Sequence, residues 1–150
     1  MCFVSLSTNI QDFSIVHFGD DAFIADTLES SRQAVKTLNT LKYSGGMTDM
    51  EGALNSCQST LRGAPDDRTN LLLIITDGSP KSRLLASAAA ADARSEGTFI
   101  VPILIEEDTQ QDNIVFLESK ISSDGRVFVT TFGGLNSLQD AIFEQVTCQA

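Results

Sequence analysis

Positive charge is scarce in this chain: ten lysines and arginines stand against twenty aspartates and glutamates, a net charge of −10 over 150 residues. That balance opposes phosphate backbones and anionic lipid, so nucleic acid is not an expected ligand and a cationic partner, a metal ion included, is favoured. Long apolar runs are also missing. The longest, residues 71–75 and 99–105, fall far short of the roughly 20 residues that span a bilayer, so no membrane insertion is expected. Residues 1–10 lack the charged n-region and cleavage site of a secretory signal. Cysteine is sparse: Cys2, Cys57 and Cys148 show no paired C-x-x-C spacing, which excludes a thiolate zinc site and allows at most one internal disulfide. His17, the single histidine, falls in an apolar stretch with no serine or cysteine nucleophile motif beside it, so it reads as a packed strand residue and not as a catalytic base.

What is present is organised around residues 71–80, LLLIITDGSP. Five consecutive apolar residues running into a turn read as a parallel strand buried on both faces. In an open α/β sheet, ligands gather outside the carboxyl ends of the strands, which places Asp77 where binding sites form. Upstream, Gly45-Gly46-Met47-Thr48 opens a helical stretch over residues 49–61. Thr48 stands where the N-cap of that helix would be.

The remaining elements follow from spacing. Phe3, Leu6 and Ile10 have helical spacing, so residues 2–10 are expected to end a helix. Residues 13–18 and 22–28 read as antiparallel strands joined at Gly19-Asp20-Asp21. Residues 31–41 place Ala34, Val35, Leu38 and Leu41 on one helical face, and the next helix turns Met50, Ala53, Leu54, Cys57 and Leu61 inward until Gly63. Residues 62–70 are loop-like. From residue 71 the order is strand, helix (82–95), strand (98–105), helix (110–121), strand (127–131) and helix (135–148), an alternation that predicts a parallel sheet wrapped by helices in a single domain, 1–150. Pro102 predicts a bulge or an unpaired ladder position in its strand.

At this point the chain resembles the von Willebrand factor A domain, the I domain of integrins, from Phe13 to the C-terminus. The resemblance rests on Gly45, Gly46, Thr48, Ala53 and Leu54, on Thr76-Asp77-Gly78 after an apolar strand, and on the hairpin at Phe18 to Asp20. It implies an α/β, Rossmann-like, doubly wound and mostly parallel sheet of order 3-2-1-4-5-6 with one antiparallel edge strand. It also implies a metal-ion-dependent adhesion site in which three loops hold Mg²⁺ or Mn²⁺. Thr48 and Asp77 match two of those loops, and both offer the hard oxygens such ions take. Glu106, Glu107 and Asp108 follow the next strand and read either as a solvated loop or as further acidity at that edge. In this fold Cys2 and Cys148 end helices on one side of the sheet, which permits a disulfide if the chain is extracellular. The resemblance further implies a last helix that moves when the site is occupied.

The family's first strand and its Asp-x-Ser-x-Ser loop are not recognisable. Ser5 and Ser7 have the serine spacing, but Phe3 stands where the aspartate would be, and only five residues separate Ser7 from Phe13, against the roughly dozen a parallel crossover needs. Residues 1–12 are therefore taken as a remnant of the first helix, and the metal is expected to bind weakly or not at all. The vacant central position in the sheet would be closed up, filled by an antiparallel N-terminal strand, or supplied by another chain. The leading expectation is a non-enzymatic, extracellular interaction module whose protein partner offers a carboxylate or a basic surface. The alternatives are a degenerate scaffold that binds no metal, and a metal-dependent hydrolase using Asp77.

Overall fold

A computed structural model describes residues 2–6, 12–42, 45–63, 69–105, 111–138 and 141. Six strands, β1 (Cys2–Leu6), β2 (Asp12–Phe18), β3 (Ala22–Ser30), β4 (Thr69–Thr76), β5 (Phe99–Ile105) and β6 (Phe128–Thr130), form one sheet in the order β3-β2-β1-β4-β5-β6. The helices are α1 (Ser31–Thr40), α2 (Met50–Leu61), α3 (Arg83–Ser95) and α4 (Gln111–Phe116), the last continuing into a π-helical turn, Leu117–Ile121. The order is the expected one, β4, β5 and β6 are parallel, and the edge strand β3 is antiparallel to β2.

The first strand overturns the helix remnant expected over residues 2–10. Cys2–Leu6 is extended and lies antiparallel to both β2 and β4, with Cys2 opposite Ile74 and Leu6 opposite Thr69. The short connection to β2 accounts for the direction, because a parallel crossover needs about a dozen residues and an antiparallel return needs few. Of the three ways to occupy the central slot, the chain fills it with its own residues, so complementation by another chain is not required. Two strands, β1 and β3, run against the other four.

The core lies between the sheet and α2, α3 and the π turn: Val16, Leu54, Leu72, Ile74, Ala90, Ile100 and Leu117 are all buried. Every inward position expected of α2, from Met50 to Leu61, is buried, Cys57 included. On α3 the inner face is Ala86, Ala89, Ala90 and Ala93, small residues that let the helix approach its neighbours closely. On α1 only Ala34 is fully buried, while Val35, expected inside, is 55% exposed. Residues 34 and 35 lie about 100° apart on a helix, and the face that α1 covers is narrower than the sequence pattern suggested. Pro102 causes no bulge. The β4 register runs unbroken through the Ile74–Pro102 pair, and β6 pairs only with Ile103 to Ile105, so the ring sits before the sixth strand begins.

His17 is half-buried on β2 opposite Phe23. The expected helix over 135–148 begins differently, as a 3-10 helix Phe132–Leu138. Its remainder except Ala141, together with Cys148 and Glu106, Glu107 and Asp108, lies outside the described residues.

Below the core, Arg62 at the end of α2 makes a two-pronged ion pair with Glu96 at the end of α3, which Gln58 Nε2 joins at 2.7 Å. The hydrogen bond from Arg62, and after it the one from Gln58, hold the Glu96 carboxyl down from an ordinary 4.5 to about 2. A carboxyl depressed in the folded state contributes stability that is complete above its unfolded value and is lost as the pH falls through the folded one. Glu96→Gln should therefore be less stable than the parent chain at neutral pH, with the difference closing between pH 4.5 and about 2. Urea midpoints taken across that range measure it, and the effect is modest because the pair is open to solvent.

Candidate functional site

Three loops meet at the carboxyl edge of β4. The first is the β2–β3 turn, residues 19–21. The second, residues 45–49, leads into α2, and the third, residues 77–81, leaves β4 for α3. Hydrogen bonds tie all three together. Asp49 N–H donates to the Gly19 carbonyl at 2.8 Å, and Lys81 N–H donates to the Thr48 carbonyl at 2.9 Å, beside a parallel bridge between Thr48 and Pro80. Met47 N–H donates to the Asp20 carboxylate at 2.9 Å, and the Lys81 ammonium donates to the Asp20 carbonyl. The third loop is anchored at its middle by Ser79, whose hydroxyl donates to Asn113 on α4.

Gly46 is required where it stands. Its φ is +92°, and a Cβ there would lie 2.5 Å from the Asp20 carboxyl carbon. Gly78 serves close approach instead: a Cβ on it would meet Thr48 Oγ1 at 3.4 Å, so the threonine of one loop lies against the backbone of the next.

The structure thus brings Thr48 and Asp77 onto adjoining loops. The capping alternative for Thr48 is settled by its neighbour: Asp49 is the N-cap of α2, its side chain accepting from Gly52 N–H at 3.1 Å. Thr48 Oγ1, half-buried, has no hydrogen-bond partner among the described residues, and neither has the exposed Asp77 carboxylate. The two border a cavity of about 240 Å³ whose other walls are mainly apolar, Phe18, Ile75 and Ile105, with Met47 and Phe132 at its mouth. Ser5 stands apart from this site. Because β1 is reversed, its end at Leu6 pairs with the start of β4, at the opposite edge of the sheet from Asp77.

Two loops carrying Thr48 and Asp77 thus stand at the head of a sheet ordered 3-2-1-4-5-6, and the sequence itself matches a family profile. The von Willebrand factor type A domain aligns with residues 4–142. The chain belongs to that family.

Among solved structures, this von Willebrand factor type A chain is similar to proximal thread matrix protein 1 from the mussel byssus, with a TM-score of 0.72 and 20% identity over 95% of this chain and 36% of the mussel chain. It is similar also to the same mussel protein with a zinc-occupied MIDAS motif, with a TM-score of 0.73 at 20% identity and the same coverage. A third likeness is to the manganese-loaded TRAP protein of Plasmodium vivax, with a TM-score of 0.69 and 21% identity over 89% of this chain and 58% of that one. At such identities the likeness is one of fold. The chain spans about a third of the mussel protein's length.

Two side chains of this edge were not singled out from the sequence. Asp20 looked like a hairpin residue, and its carboxylate in fact fixes the Gly45-Gly46 loop. Phe132 follows β6 in a stretch without regular spacing. The Gly-Asp pair after an aromatic was the only available signal for the first, and none marked the second.

Donors for a divalent cation fit in kind and fall short in number. Thr48 and Asp77 supply hard oxygens, yet among the described residues no group of three or more His, Cys, Asp or Glu is placed to hold a metal.

Proposed function

We propose that this chain is a non-enzymatic protein-interaction module, acting outside the cell, and that it meets its partner with the carboxyl edge of the sheet at Thr48 and Asp77. One observation carries the reading: a hydroxyl and a carboxylate, both without partners among the described residues, stand on adjoining, cross-braced loops and border one cavity. Water can serve both groups in the free chain, and because neither is engaged by another side chain, both are open to a ligand on loops already held in place. Mg²⁺ or Mn²⁺, when bound, would supply positive charge open to a partner's carboxylate, while Thr48 and Asp77 would hold it from the protein side. The zinc-occupied MIDAS of the mussel protein and the manganese-loaded parasite protein support this assignment, and the mussel protein's place in the byssus supports an extracellular setting.

Titration calorimetry with Mg²⁺ and with Mn²⁺ tests the ligand roles. Weak saturable binding is expected, with a Kd on the order of a millimolar because two oxygens offset little of the ion's dehydration, and it should vanish in Asp77→Ala. Unchanged binding in the variant would remove Asp77 from the site. A second reading, a scaffold whose edge holds no metal, is favoured by the absence, among the described residues, of a group of three His, Cys, Asp or Glu placed to hold a metal. Absence of any heat from a well-folded chain would select it.

A further inference from the structure

We propose that the cavity at this edge receives a lysine or arginine side chain of the partner protein, its apolar stem against Phe18, Ile75 and Ile105 and its cationic head at Asp77. The inference rests on the reading that this edge meets a partner, and adds which side chain enters it.

Size is the first argument. A cavity of about 240 Å³ lies below the roughly 300 to 1,000 Å³ of small-molecule sites and suits one long side chain. Its composition is the second. The walls are mainly apolar, with Thr48 and Thr76 among them, while a carboxylate stands at the edge, which is the division a basic side chain shows along its own length, with methylenes below and charge above. Met47 and Phe132, 64% and 71% exposed at that mouth, are large apolar groups open to water, and an aromatic ring is also a good neighbour for a cation.

Charge is the third argument and decides the sign. The three loops carry Asp20, Asp21, Asp49 and Asp77 against the single ammonium of Lys81, on a chain whose net charge is −10. Lys81 is directed to the Asp20 carbonyl, Asp20 is engaged by Met47 N–H, Asp49 caps α2, and Asp21 does not border the cavity, which leaves Asp77 as the carboxylate available at its edge. A partner's carboxylate would meet this edge as a like charge wherever the cation between them is weakly held. A partner's lysine or arginine supplies the missing positive charge itself.

The test is an amide chemical-shift titration of the ¹⁵N-labelled chain with N-acetyl-lysine methylamide, and with the norleucine and glutamate analogues, the last with and without Mg²⁺. The lysine probe should move the amides of Met47, Gly78 and Phe132 saturably, and less so at high salt. Affinity should fall about fivefold in Asp77→Asn, the scale of one partly exposed ion pair, in a chain whose other amides keep their positions. Phe132→Ala, which keeps every charge, should also weaken it. Equal binding of norleucine and lysine would overturn the inference, since charge would then play no part. Shifts at the same amides with glutamate and Mg²⁺ but none with lysine would overturn it and leave the interaction edge standing. No shift with any probe would sink both.

Discussion

Leu72→Ala is expected to unfold roughly 10 °C below the parent chain, a loss of about 3 kcal/mol. Leu72 lies on β4 with none of its surface exposed, among Val16, Leu54, Ala90 and Ile100. Truncation removes the transfer free energy of the lost carbons and leaves a cavity, because a strand paired on both sides in a six-stranded sheet cannot move in to fill it. Leu84→Ala provides the comparison. That leucine is 79% exposed at the start of α3, and its loss should change stability by no more than about 0.5 kcal/mol. Thermal melts of the two variants read the contrast directly, and equal shifts would mean the strand is not the centre of the core.

Gly46→Ala is the second large effect, also about 3 kcal/mol, and it has two separable causes. An L-residue at φ +92° is strained by roughly 1 to 2 kcal/mol. In addition, a Cβ 2.5 Å from the Asp20 carboxyl carbon must push that side chain away, with loss of its charge-assisted bond to Met47 N–H. A double-mutant cycle with Asp20→Ala separates them. In the Asp20→Ala background the clash is gone and only the backbone strain remains, so the second substitution should cost about 1 kcal/mol less than it does alone. Strict additivity would show that the carboxylate yields without consequence.

The parts legible in the sequence were those in which local pattern and tertiary setting agree. β5 is an apolar run because both of its faces are buried, β4 because one face is buried and the other half-buried, and α2 shows its buried face at regular spacing. The loops that carry Thr48 and Asp77 were legible because a glycine pair and a Thr-Asp-Gly exit punctuate the chain where loops must turn. β1 was not. Phe3 and Leu6 are three apart, which in so short a stretch suits a helix as well as a strand, and what decides is pairing with β4, roughly 70 residues away, about which a local window holds nothing. Asp20 was missed for a related reason. An aspartate after glycine in a hairpin is ordinary turn chemistry, and its second task, fixing residues 45–47, depends on a contact across 27 positions.

The reversed β1 also sets a timetable. On the ribosome, β1, β2 and β3 emerge close together and can pair at once as an antiparallel meander. β4, the other neighbour of β1, begins roughly 40 residues after β3 ends, a delay of about 2 to 8 seconds at ordinary rates of synthesis. For that interval the nascent chain carries an open strand edge, the kind of surface that invites pairing with a stranger. In the finished molecule the same edge is the middle of the sheet.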